Sequence, residues 1–422
     1  MKTSPLHVLI TFDTHTPYLA FRVRALQAAL QQRKWDGVVR LQVVLIALEE
    51  TSYQWQAGEL SSLYGGVPVR VLTDKFRGLR MRDWFRWTTF KTTCRMAWHY
   101  LKLRPRIALV GGYDRPESMA LALLSILTRG KVGPLHDSRF NDAESHAKNI
   151  RLELVKSFIL RRYDFFMCSG RECADYSRFL GGRDKPAFTS AWDIVDNEEI
   201  GRLADRTDRD DVIRKHLGLN AGEKYFFMPI RFLPKKNAAL VLDAYAAAVR
   251  RAGPSAETFP HLVLCGQGPL QQDLSDHIRR LDLGATIHMA SWLPYDEVPR
   301  ASRLSLALLL ASTHDQWGMT INEGLAAGTP VICSSRAGAH EIVRNYCNGF
   351  TFHPWDSEHL TSLFLAFAAD PQLSERLRSN AAASVRSFSV DQWLEACFRV
   401  IERFGGPGKA PPDAATGAES AQ

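Results

Sequence analysis

The chain has no uninterrupted apolar run of roughly 18 residues, the length a membrane-crossing helix needs, which argues against a transmembrane span. It has no C-x-x-C pair. Its seven cysteines, at 94, 168, 173, 265, 333, 347 and 397, are scattered and odd in number. That is the usage of reduced, mostly buried thiols in a cytoplasmic protein, and it disfavours both a disulfide framework and a structural zinc site. There is no complete G-x-G-x-x-G fingerprint, which disfavours a Rossmann oxidoreductase, and no internal repeat at a solenoid period. The opening MKTSPLHVLITFDTHTP has one lysine and a short apolar run, Val8 to Ile10. A signal peptide needs a longer apolar region and a small-residue cleavage site, so this run is read as a first strand and the protein as cytoplasmic.

What is present is ordinary globular composition: 45% hydrophobic, 23% charged, and a net charge of +8 over 422 residues. That length suits two cores of roughly 150–200 residues each. The positive balance permits an anionic partner (a membrane surface, a phosphorylated substrate or nucleic acid) without choosing among them. Short apolar runs alternate with helical patterns: 7–12, 41–48, 106–112 and 165–170, then 225–230, 261–268, 285–290, 304–310 and 329–334. Continuous apolar runs separated by helices describe parallel strands covered on both faces, and two such series predict two doubly wound α/β domains. The charged segment 197–222 is expected to be a linker between a domain at 1–196 and one at 223–385, followed by a helix at 386–404. From Gly405 the chain has almost no large apolar residue and is expected to be a disordered tail.

Four strand-end loops of the second half carry candidate ligand contacts. Arg231 and Lys236 follow strand 225–230 and precede a helix near Ala238; two cations there can converge on a diphosphate, or form a solvated basic turn. Gly266, after strand 261–265, permits close approach of a ligand or makes a tight turn. Trp292 and Leu293, in Ser291-Trp-Leu-Pro-Tyr295, can flank a nucleobase or pack between domains. The most informative stretch runs from Asp315 through Gly318, Met319 and Thr320 to Glu323, then Gly328-Thr-Pro330. A strand ends, a glycine loop follows, and a helix begins whose first amides face an anionic or hydroxyl-rich ligand, with carboxylates at both ends to accept from sugar and ribose hydroxyls. A capped helix with an acidic first turn would look similar.

This pattern resembles the retaining family 4 glycosyltransferases of GT-B architecture, densely over about 223–355 and loosely over 100–200. The family pattern of an acid, seven residues, Glu, small residues and Gly-x-Pro-Val stands here as Asp315…Glu323-Gly-Leu-Ala-Ala-Gly328-Thr-Pro330-Val331. The family's Gly-Arg-x4-Lys motif stands with Ile230 for the glycine, then Arg231 and Lys236. The resemblance implies two Rossmann-like domains facing across a cleft, with a C-terminal helix crossing back to the first. It implies that Arg231 and Lys236 bind the diphosphate of a nucleotide-sugar donor, Glu323 the ribose, Asp315 the transferred sugar, and the Met319 and Thr320 amides the donor as well. No metal or other cofactor is then required, and no Asp-x-Asp pair stands near these residues. Asp315 is one methylene shorter than the family's usual Glu.

In the first domain the resemblance places the active-site group at His136 or Asp137, within VGPLHDSRFND, where it would position an acceptor hydroxyl; the same residues could instead cap a helix. The implied activity is hexosyl transfer to a glycan or lipid-linked acceptor in envelope or exopolysaccharide synthesis. A nucleotide-sugar epimerase or hydrolase and a non-catalytic carbohydrate- or nucleotide-binding relative are the alternatives. Lys75 to Arg106 holds ten Lys/Arg, one acid (Asp83) and seven aromatics. Within it Trp84, Trp87, Phe90, Cys94, Trp98 and Leu101 recur at helical spacing, a face expected to pack on the sheet. The basic remainder suits the anionic cytoplasmic leaflet, at about 1 kcal/mol per cation near the surface, or is a solvated face. No nucleic-acid recognition module is visible.

Overall fold

The computed structural model describes residues 5–35, 37–50, 60–76, 87–140, 150–253, 258–370 and 372–405, with side chains for all of these but 48–50, 74–76 and 150–153. The expected tail beyond Gly405, and Asp83, Trp84 and Phe85 of the basic stretch, lie outside them. The chain forms two compact units: 1–194 together with 390–422, and 195–389.

The first unit comprises β1 (Leu6–Phe12), α1 (Pro17–Gln32), β2 (Val39–Glu50), α2 (Leu60–Leu63), β3 (Val69–Phe76), α3 (Trp87–Leu103), β4 (Ile107–Gly111), α4 (Pro116–Thr128), β5 (Lys131–His136), α5 (Ile150–Leu160), β6 (Phe166–Cys168), α6 (Arg171–Gly181) and β7 (Ala187–Phe188). Its seven parallel strands lie in the order β3-β2-β1-β4-β5-β6-β7. α1 starts where Thr16 accepts from the Leu19 amide at 3.1 Å and Pro17 fills the first turn. Alternate strand residues divide between two cores. Val8, Ile10, Val43 and Leu109 meet α1 and the C-terminal helix Val390–Phe404 through Val23, Leu26, Trp393 and Ile401. Leu9, Val44, Ala108, Val110 and Phe166 meet α3, α4, α5 and α6 on the opposite face through Met96, Tyr100, Leu121, Leu160 and Leu180.

α3 departs from expectation. The aromatic stripe Trp87, Phe90, Trp98 and Leu101 is exposed, and the side chains turned inward are Thr89, Thr92, Met96, His99 and Tyr100. The inward Thr92 is satisfied locally, its Oγ1 donating to the Glu117 carboxylate of α4 at 2.5 Å, and the half-buried Thr93 donates to the Thr89 carbonyl one turn back. Helical spacing located the stripe but could not tell which way it faces.

The second unit comprises α7 (Asn197–Ala204), α8 (Asp210–His216), β8 (Tyr225–Pro229), α9 (Ala238–Ala252), β9 (His261–Cys265), α10 (Gln271–Leu281), β10 (Ile287–Ala290), α11 (Val298–Leu304), β11 (Ala307–Leu310), α12 (Met319–Ala326), β12 (Val331–Ser334), β13 (Gly349–Phe352), α13 (Ser357–Ala369) and α14 (Leu373–Ser384). Its six parallel strands run β10-β9-β8-β11-β12-β13. The segment 197–222, expected as a linker, is instead part of this unit. Asp196 caps α7 by accepting from the Glu199 amide at 3.0 Å. Arg300 of α11 grips Asp210 through Nε and Nη2 at 2.6 and 2.7 Å and donates from Nη1 to the Ala204 carbonyl at 3.0 Å. Several charges of this segment are ion-pair partners, Arg209 with Glu297 among them. Residues 304–306, expected in a strand, belong to the end of α11 and the turn before β11.

In each sheet the chain works outward from one central strand and then crosses to its other side, so a topological switch falls between β1 and β4 and again between β8 and β11. Flanking helices diverge at such points and leave a crevice at the strands' carboxyl ends.

Candidate functional site

The crevice of the second unit is bounded by the loops after β8 and β11, which carry the strongest of the predicted residues. The two loops are tied together: the Thr313 amide donates to the Lys235 carbonyl at 2.9 Å, and the Lys236 ammonium pairs with the Asp315 carboxylate. Ser312 Oγ donates to the same Asp315 oxygen at 3.2 Å. Both members of the pair are largely buried. Burial alone would push the Asp315 carboxyl up; Lys236, by charge and hydrogen bond, with Lys235 and Ser312 adding, brings it below the usual carboxylate range. Lys236 closes a single 3-10 turn, Pro234–Lys236, and Asn237 turns left-handed (φ 58°) to launch α9, its side-chain amide held by the Pro354 carbonyl at 2.7 Å. Arg231 is half-buried at the start of the same loop.

Beyond Asp315 the loop lies against the one after β12. Gly338 donates to the Asp315 carbonyl at 3.1 Å and Ala339 to the Trp317 carbonyl at 2.7 Å. Trp317 is buried and its indole N–H reaches Asn322 at 3.0 Å, fixing the entry to α12. Gly318 sits at φ 91° with the Leu310 side chain close by, a conformation that suits glycine and sets the axis of α12. The Met319 and Thr320 amides belong to the first turn, where helix geometry supplies no acceptor from within the helix. Glu323 is half-buried one turn further on.

Gly266 has a reason independent of any ligand. A Cβ there would stand 1.9 Å from the Ile230 carbonyl oxygen, and one at Gly268 2.6 Å from that of Phe232. The loops after β8 and β9 therefore interlock by backbone, with Phe232 donating to Gln267 at 2.9 Å and Leu270 to Phe232 at 3.1 Å. Trp292 of the next loop reaches the same place, its ring edge 3.2 Å from the position of a Gly266 Cβ, and is partly exposed, whereas Leu293 is buried in the core of the unit. Loops after β10, β9, β8, β11 and β12 thus form one connected rim, bringing Arg231, Lys236, Gly266, Trp292, Asp315 and Gly318 onto a single edge of the sheet.

The first-unit candidates are placed differently from one another. His136 ends β5 with its ring in the interior: Nε2 lies 2.9 Å from Ser177 Oγ and 4.0 Å from both Cys168 Sγ and Cys173 Sγ, and Tyr113 packs edge-on at 5.2 Å. Cysteines read as scattered thus converge on it, their ligand-type atoms all within 4.8 Å. Burial raises the Cys173 thiol well above its ordinary value, with the Cys168 and Asp137 charges adding to the effect. The ring is part of the packed core and is not presented to solvent, which corrects the expectation that it meets an acceptor. Asp137, the next residue, is half-exposed. Asp13 of the β1 loop and Arg115 of the β4 loop, neither singled out from sequence, form an ion pair at the first sheet's switch point.

These observations define an α/β protein built from two doubly wound Rossmann-like units in one chain, the GT-B architecture. The same fold is found in HepE of Anabaena, solved with UDP and glucose: TM-score 0.67, 17% identity, covering 94% of this chain and 100% of that one. Residues 209–384, within the second unit, match the family model described as glycosyl transferases group 1. An alpha-monoglucosyldiacylglycerol synthase of Streptococcus pneumoniae is 26% identical over 169 residues, 40% of this chain and 36% of that protein. A glycogen synthase of Mycobacterium tuberculosis is 24% identical over 283 residues, 67% of this chain and 61% of that one. The matched stretches cover less than two thirds of both relatives' lengths.

Proposed function

We propose that the protein is a retaining glycosyltransferase that moves a hexose-type sugar from a nucleotide-sugar donor to a glycan or lipid-linked acceptor, in envelope or exopolysaccharide synthesis. The observation that carries this reading is the meeting of Lys236 and Asp315 at the β8/β11 switch point, beside the first turn of α12. In this reading Arg231 and Lys236 hold the donor diphosphate, in place of a metal ion. Glu323 takes the ribose hydroxyls, and the Met319 and Thr320 amides take the donor's oxygens. Transfer breaks the bond from the anomeric carbon to the diphosphate oxygen and forms one to the acceptor oxygen, whose proton leaves with the departing phosphate or to solvent. Charge builds on the diphosphate as that bond breaks, so fixed cations stabilise the transition state more than the ground state. Asp137 is the group assigned to the acceptor hydroxyl, with His136 setting its position from beneath.

A cytoplasmic protein attached at the inner membrane face suits a lipid-linked acceptor. Thermal shift with UDP-, GDP- and ADP-glucose tests the donor assignment, UDP-glucose first because HepE was solved with UDP and glucose. One of the three is expected to raise Tm in the wild type and not in Lys236→Ala. A wild-type chain that responds to none of them, and transfers no sugar, overturns the reading.

A further inference from the structure

The exposed apolar surface is distributed unevenly. Of the seventeen exposed large hydrophobics among the described residues, twelve lie between Trp87 and Phe179. Eleven of these project from the helices that cover a single face of the first sheet: Trp87, Phe90, Trp98 and Leu101 on α3; Leu123, Ile126 and Leu127 on α4; Leu154, Val155 and Phe158 on α5; and Phe179 on α6. α4 crosses from β4 to β5, α5 from β5 to β6, and α6 from β6 to β7, so the helices follow the order of the strands. The opposite face, covered by α1 and the C-terminal helix, has no exposed large hydrophobic among its described residues. Leu127 is 80% exposed and Trp87 66%, more than incidental surface packing leaves on one layer.

Cations outnumber acids on this layer. From Trp87 to Lys131 the exposed cations are Lys91, Arg95, Lys102, Arg104, Arg106 and Arg129, against one exposed acid, Asp114. On α6 the acids are spoken for, Glu172 by Arg139 at 2.9 Å and Asp175 by Arg178 at 3.2 Å. Cations stand over the exposed rings: Lys91 over Trp87 at 5.4 Å, Lys102 over Trp98 at 5.2 Å and Arg162 over Phe158 at 4.6 Å. Aromatic rings paired with long basic side chains match the headgroup boundary, where the ring enters the acyl region and the cation stays with phosphate. A two-fold contact between copies would set this basic face against itself, which like charges oppose.

We propose that the outer surface of α3, α4, α5 and α6 is one docking face for an anionic lipid bilayer, with α4 and α5 inserting apolar side chains beside the basic aromatic α3. This deepens the acceptor side of the proposed function and rests on it only for the identity of the acceptor.

The test is flotation of the full chain with phosphatidylcholine vesicles and with vesicles containing phosphatidylglycerol. Binding to the anionic vesicles is expected, reduced but not abolished by high salt, since part of it is apolar. Leu127→Glu and Phe158→Glu, which lie outside the basic stretch of α3, are each expected to lower partitioning about tenfold or more. Both should keep the wild-type Tm and the wild-type thermal shift with donor; quenching of wild-type tryptophan fluorescence by brominated phosphatidylglycerol reads insertion without any substitution. Wild-type partitioning of both variants overturns the four-helix face, as does dimerisation that the same substitutions break with no vesicle binding. Failure of the donor shift with intact vesicle binding would instead strike the transferase reading and leave this one standing.

Discussion

At the scale of the residue, Asp315 is the position to which the structure adds most. Sequence made it a sugar-binding acid shortened by one methylene; the fold shows it holding the ammonium of Lys236, with Ser312 on the same oxygen. A shorter acid suits that contact, because the two loops are already joined by backbone at Thr313 and Lys235. Lys236→Ala is expected to lower kcat/KM by at least ~100-fold, the scale of losing one charged transition-state contact. If Asp315 acts by positioning that lysine, Asp315→Asn should cost about tenfold alone and almost nothing further in the Lys236→Ala background. Additive losses in steady-state kinetics would show that Asp315 touches the sugar directly. The acids, the glycines and the order of the loops were legible from their spacing. The ion pair was not, because its members stand 79 positions apart and meet only through the sheet order.

At the scale of the element, most strands readable in the sequence were those with a mainly apolar run, such as β8, β9 and β11. β3, β5, β7 and β13 are absent from the runs read as strands: three of them are edges of their sheets, where the apolar run is short or broken by charge, and β5 is interior but its run is broken by Gly133 and Pro134. α3 was legible as a helix and illegible in orientation, because its inward face carries polar residues, Thr89, Thr92 and His99, of which Thr92 finds partners on the preceding turn and on α4. The rim of the candidate site depends on loops locked backbone to backbone, so its integrity can be tested away from any ligand contact. Gly266→Ala places a methyl group on the Ile230 carbonyl at a backbone φ of 152°. It is expected to destabilise the protein by about 3 kcal/mol or more in chemical denaturation, since neither loop can yield alone.

At the scale of the whole molecule, three histidines couple stability to pH with the same sign. Burial is the largest cause holding His15, His99 and His288 below 6.5; the Arg70 and Lys102 charges add to it at His99, and the neighbouring His261 at His288. A chain unfolded below pH 6.5 therefore takes up protons that the folded chain refuses. Stability conferred by the neutral rings is full above that pH and falls as pH drops through it, by up to about 1.4 kcal/mol per pH unit for each group. Tm is expected to fall between about pH 7.5 and 5.5, and less steeply in His288→Asn. A Tm that is flat or rising on acidification over this range would contradict the placement of these rings. Among the described residues no helix is long and apolar enough to cross a membrane.

The first unit is interrupted in sequence: its last helix, Val390–Phe404, arrives only after the whole second unit. Trp393, Phe398 and Ile401 of that helix belong to the same core as Val8 and Leu26. A ribosome making this chain therefore releases the means of closing the earlier core last, while the later unit emerges as one unbroken stretch. The half that begins first should be the half that finishes second, and a nascent chain halted at Ser389 should show a protease-resistant second unit beside a first unit still open to cleavage.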